Sequence, residues 1–397
     1  MRIAYICADP GIPVFGCKGC SIHVQEVIRT LIQQGHQIEL FAVRWGGNPP
    51  SDLVSVTLHK LPKPPKGDAC GGLRQRALRE QALLAHNLDL RFALETAGRF
   101  DLVYERYSLW SFTALQYART QGIPAVLEVN APLIEEQATH RSLTHRQEAE
   151  AVARRVFSAA TVIIAVSEGV ADYLQRYPQT QGKVHIIPNG VNPDRFPVHL
   201  PPTLPSNNFT IGFVGTMKPW HGLPTLVDAF AQLHDRHPHT RLLIVGDGPE
   251  RSQLEANLID SGIRDAVQFT GKVPPADVPG LLASMDVAVA PYPHHQNFYF
   301  SPLKVYEYMA AGLPVVASRI GQLQALINDG VNGILYEPGN SQQLTNCLDH
   351  LWQHPWLRTQ LGQNARATVL RSHTWEEAVQ RILSLTQQAT STLEVSA

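Results

Sequence analysis

The stretch TIGFVGTMKPWHGLPTLVDAFAQL, Thr210–Leu233, holds one complete βα unit. Thr210–Val214 reads as a buried strand and Gly215 lets the backbone turn. Lys218 and His221 follow on a loop, and Leu223, Leu226, Val227, Phe230 and Leu233 then recur on one helical face. The same alternation extends in both directions. Upstream, Ile3–Cys7, Ile38–Val43, Val54–Leu58, Leu102–Tyr104, Ala125–Val129, Val162–Val166 and Val184–Ile187 read as strands. The first helix carries Val24, Val27, Ile28, Leu31 and Ile32 and closes at Gly35. Downstream, Leu242–Val245, Val267–Thr270, Val287–Ala290, Val315–Ala317 and Ile334–Tyr336 continue the series. Strands alternating with helices imply βαβ crossovers and mostly parallel sheets.

The stretch NPDRFPVHLPPTLPSNN, 192–208, holds five prolines in seventeen residues and reads as a linker. The last helix opens at a Thr374-x-x-Glu377 capping box and carries Trp375, Ala378, Val379, Ile382 and Leu383 on one face. The expected architecture is α/β: two doubly wound, Rossmann-like parallel-sheet domains facing across a cleft. Residues 1–191 form the first domain, 192–208 the linker, 209–372 the second domain, and 373–397 a closing helix that packs back on the first. Ligands in such sheets sit beyond the carboxyl ends of the strands, so each domain is expected to hold a different substrate.

Composition narrows the function classes. The 397 residues are 44% hydrophobic and 17% charged, enough for a core in each half, and the net charge of −1 offers no basic excess for nucleic acid. The five cysteines, Cys7, Cys17, Cys20, Cys70 and Cys347, are odd in number and scattered, which points to a reducing compartment. Cys17 and Cys20 form a C-x-x-C without a second pair at zinc spacing; a metal or redox role stands beside the plainer reading of small residues in a tight loop. MRIAYICADP lacks the layout of a signal peptide. The longest apolar run, Val156–Val166, falls short of the ~20 residues that span a bilayer. The protein is expected to be cytoplasmic, free or peripheral on the inner face of the membrane.

The chemistry concentrates in FYFSPLKVYEYMAAGLPVVAS, Phe298–Ser318. Ser301 and Pro302 read as N-cap and first turn of a helix running to about Ala311, ended by Gly312. Lys304 in the first turn opposes the helix dipole by ~0.3–1 kcal/mol, and an anion at that end would reverse the sign. Lys304 and Glu307 are i, i+3 neighbours: either a cation for phosphate and a carboxylate for ribose on one face, or a surface ion pair of ~0.2–0.5 kcal/mol. Gly215 beside Lys218 and His221 suits a diphosphate cradle, although Lys218 alone also reads as a solvated loop residue. VGDGPE, Val245–Glu250, places Arg251 where a G-x-G-x-x-G loop needs its third glycine and reads as a structural turn.

Taken in order, these stretches resemble the family 4 glycosyltransferases, retaining enzymes of the GT-B fold, in a WHG and FSPLK-type subgroup. The motifs are Gly16-Cys-Lys-Gly19 before His23-x-x-Glu26, then QGHQIEL, VSEGVADYL, VHIIPNGVNPDRF, FVGTMKPWHG, LLIVGDGPE, FTGKVP and the E-x-M-A-x-G-x-P-V-V-A run from Glu307. The resemblance implies a nucleotide-sugar donor on the second domain. It places Glu307 on the donor ribose, the Ser301-Pro302-Leu303-Lys304 amides on the diphosphate, and the backbone near Val273 on the base. Gly16 and Gly19 would approach the donor from the first domain, and the Gly215-Thr216-Met217 turn from the second. Three positions depart from the family pattern. Tyr299 stands at the first glutamate of E-x7-E, Thr216 and His221 stand at the Arg and Lys of the diphosphate loop, and Asn130 stands at a frequent histidine.

The reaction implied is hexosyl transfer with retention to a glycan or glycolipid acceptor, a setting common in polysaccharide biosynthesis. Fixed positive groups where diphosphate charge develops are the main lever, here Lys304, Lys218, the Gly215 turn and the Ser301 helix end, with His221 adding to them if protonated. No D-x-D pair occurs, so neither metal nor other cofactor is expected. Glu128, Glu135 and Glu136 lie near the reaction or are solvated. His23, Glu105, Arg106 and Asn130 are the acceptor-side candidates, and His23 also fits as a lining residue of the first helix. Lys60–Glu80 holds six basic residues against two acidic ones: an anionic acceptor or membrane patch, or a solvated loop. A non-catalytic nucleotide-sugar binder or partner subunit remains the other class, ahead of an epimerase or a phosphorylase.

Overall fold

The computed structural model describes residues 1–64, 72–295 and 298–396, so Cys70, Gly71 and the middle of the basic segment lie outside it. The chain divides into two compact units. Unit 1 comprises Met1–Asn189, Tyr299–Ser301 and the chain from Trp375; unit 2 comprises Gly190–Phe298 and Pro302–Thr374.

Unit 1 is built on seven parallel strands in the order β3-β2-β1-β4-β5-β6-β7. They are β1 (Arg2–Cys7), β2 (Gln37–Ala42), β3 (Thr57–Lys60), β4 (Leu102–Arg106), β5 (Ala125–Val129), β6 (Val162–Ala165) and β7 (Val184–Ile186). The helices are α1 (Gly19–Gln33), α2 (Leu73–Ala97), α3 (Thr113–Gln121), α4 (Leu133–His140), α5 (Arg146–Ala159) and α6 (Glu168–Leu174). The central strands are covered on both faces, which is why they read as unbroken apolar runs. The exceptions, Glu105, Arg106 and Glu128, stand at or near strand carboxyl ends and are buried.

Two expectations are corrected here. The strand expected at Val54–Leu58 starts three residues later: Ser51–Leu53 forms a short 3-10 turn and β3 begins at Thr57. As an edge strand pairing only with β2, it needs no apolar run to mark it. From Leu73 onward the basic segment is helix, not loop. α2 buries Leu90 and Leu94 on one side and exposes Leu88 and Phe92 on the other, so no single apolar stripe betrays it.

Unit 2 has six parallel strands in the order β10-β9-β8-β11-β12-β13. They are β8 (Phe209–Val214), β9 (Thr240–Val245), β10 (Val267–Gly271), β11 (Val287–Ala290), β12 (Val315–Ser318) and β13 (Ile334–Tyr336). Its helices are α7 (Leu223–Arg236), α8 (Arg251–Asp260), α9 (Val278–Leu282), α10 (Leu303–Ala310), α11 (Leu323–Leu326), α12 (Ser341–Gln353) and α13 (Pro355–Ser372). The remaining helix, α14 (Trp375–Ser396), belongs to unit 1. The proline-rich stretch is bonded onto unit 2: Thr203 N donates to the Gly280 carbonyl at 2.9 Å and Leu204 N to Ser284 Oγ at 3.0 Å.

Gly222 links the loop after β8 to α7. Its φ is +68°, and a Cβ there would lie 1.7 Å from the Pro291 carbonyl oxygen. Strain and backbone overlap act together at this position. Gly222→Ala is expected to destabilise unit 2 by at least ~2 kcal/mol, seen as a lower urea midpoint. An unchanged midpoint would contradict the geometry.

Candidate active site

In unit 2 the chain leaves β8 at Val214 and turns at Gly215. This turn packs backbone to backbone on the one after β9. Met217 N donates to the Asp247 carbonyl at 3.1 Å, and a Cβ on Gly246 would fall 2.1 Å from the Gly215 oxygen. VGDGPE thus buttresses the Gly215 turn, and α8 starts just after it at Arg251. Met217 is fully buried, which leaves only its backbone facing outward chemistry, while Thr216 is exposed.

Helix α10 begins at Leu303 with Pro302 at its N-cap, one residue later than expected for a Ser301 cap. Ser301 does not cap the helix because both its oxygens are engaged elsewhere. Its Oγ accepts from Asn189 N at 3.1 Å and its carbonyl from Asn189 Nδ2 at 2.7 Å, both within unit 1. The Tyr308 hydroxyl accepts from Val214 N at 2.7 Å and fastens α10 to the end of β8.

That fastening brings Lys304 under the Gly215 turn. Its Nζ lies 4.1 Å from the Phe213 ring centre, 5.2 Å from that of Tyr292, and 3.2 Å from where a Gly215 Cβ would stand. Its Nζ is buried and has no hydrogen-bond partner among the described residues, while the side chain as a whole is half-buried. Burial pushes its pKa down to about 7. Lys304 does not pair with Glu307. Arg195 does, with Nη1 at 3.0 Å from Glu307 Oε1, while Arg195 Nη2 donates to the Pro275 carbonyl at 2.9 Å. Arg195 therefore ties the Glu307 carboxylate to the loop carrying the half-buried Val273. Sequence reasoning missed Arg195, although it sits in the quoted VNPDRF motif.

His221 directs Nδ1 at the Thr216 carbonyl. Burial and the neighbouring Lys304 push its pKa to about 3. The condition set for His221 is therefore not met: the ring is neutral at physiological pH, with Nδ1 donating and Nε2 left as acceptor. Lys218 is half-buried, its Nζ 5.4 Å from the Trp220 ring centre.

In unit 1, Glu128 at the carboxyl end of β5 gathers the polar residues. It accepts from the Tyr104 hydroxyl, from Arg106 Nη1 at 3.2 Å and from Asn130 Nδ2 at 2.5 Å, and His23 Nε2 lies 2.6 Å away. Burial raises the carboxyl's pKa, but His23, Arg106 and Tyr104 more than reverse this and hold it at about 2. Glu128 is thus a buried carboxylate and not a solvated one. His23 is buried as well, its ring edge-on to Trp375 at 4.9 Å.

Glu105 does not join this group. It neighbours Arg106 in β4 and points to the opposite face, where burial pushes its pKa up to about 7. Tyr299 belongs to unit 1: its hydroxyl donates to Glu136 Oε2 at 3.2 Å and its carbonyl accepts from Ser167 Oγ at 2.7 Å. The carbonyl of Gly16 accepts from Gln25 Nε2 at 3.0 Å, which steadies the loop before α1; Gly19 is the first, exposed residue of that helix.

A cavity of about 370 Å³ opens beyond β1 and β4 of unit 1, walled by Arg76, Arg79 and Leu83 of α2 and by Trp110 and Leu133. Asn87 of α2 also lines it and shapes its far wall: Oδ1 accepts from Phe112 N and Thr113 N, and Nδ2 donates to the Trp110 carbonyl at 2.8 Å. His23, Glu105 and Arg106 do not line this cavity. Among the described residues no cluster of His, Cys, Asp and Glu converges as a metal site.

Two doubly wound parallel-sheet units of this kind are the architecture of GT-B glycosyltransferases. Sucrose-phosphate synthase from Thermosynechococcus elongatus superposes with a TM-score of 0.74 at 20% identity, covering 98% of this chain and 99% of that one. Anabaena HepE, solved with UDP and glucose, gives 0.68 at 21% identity, with both chains fully covered. A D-inositol 3-phosphate glycosyltransferase from Acidothermus cellulolyticus is 26% identical over 96% of this chain and 87% of its own length. Residues 18–195 match the model of Glycosyltransferase Family 4, and residues 208–354 that of Glycosyl transferases group 1. Together the matches take in most of the chain, which belongs to the family 4 glycosyltransferases.

The depressed Lys304 pKa carries a stability signature. From pH 7 to the usual lysine value of 10.5 the unfolded chain binds the extra proton, so this group makes stability rise with pH across that window. Below pH 7 its full destabilising effect is present. Lys304→Met is expected to raise the melting temperature of the ligand-free protein at pH 6.5 and to shrink the gain by pH 9. A lower melting temperature for the variant at both pH values would overturn the assignment.

Proposed function

We propose that this glycosyltransferase moves a hexosyl group from a UDP-sugar, with retention of anomeric configuration, to a glycan or glycolipid acceptor. The observation that carries the reading is the buried, unpartnered Lys304 ammonium at the amide end of α10 under the Gly215 turn. The choice of UDP is supported by HepE, whose structures hold UDP and UDP-glucose. Cleavage of the bond from the anomeric carbon to phosphate moves negative charge onto the diphosphate. The Lys304 ammonium, the first amides of α10 and Lys218 stabilise it there. Neutral His221 offers Nε2 as acceptor to a sugar hydroxyl. Glu307, oriented by Arg195, accepts from the ribose hydroxyls, and the backbone near Val273 meets the base. On the acceptor side, Asn130 is aimed by Glu128, and the α2-walled cavity receives the acceptor. In front-face retention, the departing phosphate oxygen takes the proton of the acceptor hydroxyl. We assign the work to polysaccharide or glycolipid assembly on the cytoplasmic side of a membrane.

UDP at 100 times its Kd is expected to add ~2.7 kcal/mol of stability. Lys304→Ala should abolish most of that shift and lower kcat/KM for the donor at least about tenfold, ~1.4 kcal/mol. A full UDP shift in the variant sinks the role of Lys304. UDP binding with no turnover toward any acceptor would instead support a non-catalytic subunit.

Because the bound diphosphate favours protonated Lys304, binding above pH 7 takes up a proton. UDP affinity is expected to fall up to about tenfold per pH unit between pH 7 and 9. Calorimetry at pH 8 in buffers of different ionisation heat checks the uptake; a heat independent of buffer rules it out.

A further inference from the structure

We propose that the outer surface of the helix layer α2, α3 and α5 seats this protein on an anionic lipid bilayer. The surface has two adjoining parts. The first is an open basin lined by Arg91 of α2, Arg119 of α3, and Arg154 and Arg155 of α5, with no carboxylate in its lining. The Arg155 guanidinium carbon sits 3.6 Å from the Phe112 ring centre and the group donates to Gln116 at 3.0 Å, so it is held in place. Arg91 and Arg154 are tethered along their own helices by the exposed Glu95 and the half-buried Glu150. The second part is apolar. Leu88 and Phe92 are 77% and 72% exposed. They stand three residues before and one after Arg91, within the same third of the helix circumference.

A helix normally turns such residues inward. Here the inward face is already supplied by Leu90 and Leu94, leaving a second apolar face beside four arginines. This combination, apolar side chains flanked by cations on a surface helix, matches the boundary between headgroups and acyl chains. It does not match a second copy of the chain. A two-fold contact through this face would set four arginines against four. Nor does the protein cross the bilayer by these elements, since no described helix is long and apolar enough. The pocket side of α2 carries Arg76, Arg79 and Asn87. Where that cavity holds the acceptor, as proposed above, a glycolipid reaches it along the helix that seats the protein.

The test is sedimentation of the full chain with vesicles, without nucleotide, so that its result is independent of the donor reading. Vesicles of phosphatidylcholine alone are compared with vesicles containing phosphatidylglycerol. The protein is expected to pellet with the anionic vesicles only. The exposed double variants Leu88→Ser/Phe92→Ser and Arg119→Gln/Arg154→Gln should each lower the bound fraction at least about tenfold, with melting temperatures unchanged. Equal recovery in the supernatant with and without anionic vesicles overturns the proposal. So does wild-type binding by either double variant.

Discussion

A lysine ammonium taken out of water without a carboxylate beside it is costly to a folded chain, because two aromatic faces return only part of its hydration. Lys304 is held this way between Phe213 and Tyr292. Much of unit 2 around it follows from that burial. Burial first, and then the same cation, exclude the proton from His221, so the ring stays neutral on the Thr216 carbonyl. The Tyr308 bond to Val214 fixes the distance between the helix end and the glycine turn. The lack of a side chain at Gly215, whose Cβ would stand 3.2 Å from Nζ, leaves the ammonium uncovered on that side. Such a site is assembled before its ligand arrives, and binding energy is then not consumed in ordering it.

Unit 1 handles buried charge in the opposite way. The Glu128 carboxylate is buried too, yet it meets an arginine, an amide, a phenol and an imidazole. A carboxylate satisfied on all sides is architectural: it joins the start of α1, β4 and the segment after β5 into one network. Removing one partner leaves the remaining charge without compensation, whereas removing Lys304 relieves one. Burial is therefore a poor guide to function unless the partners are counted.

The sequence made the two parallel sheets legible because buried strands leave no room for polar alternation, and the strand ends at Val214 and Val245 came with glycines. β3 was misplaced because an edge strand carries no such demand. The start of α10 lies one residue beyond the expected Ser301 cap, because both Ser301 oxygens are taken by Asn189, a partner 112 residues away that local sequence does not reveal. Glu105 and Arg106 were grouped although the two-residue period of a strand separates them, a signal that was present and not used. Arg195 lay in a stretch dominated by prolines, and its role appears only when the fold brings Glu307 and Pro275 to it. One wall of the unit 1 cavity comes from α2, whose apolar residues on two sides cancel the periodicity that marks a helix.

The burial of Lys304 also constrains which cation evolution can place there. An arginine keeps its charge at every accessible pH, and its planar fork is broader than an ammonium. Set between the rings of Phe213 and Tyr292, it would burden the ligand-free protein with a permanent ion. A primary amine can release its proton when the site stands alone and regain it when an anion is bound. The slot thus selects for a group able to switch its charge off, and family members that keep both aromatic walls should keep lysine between them.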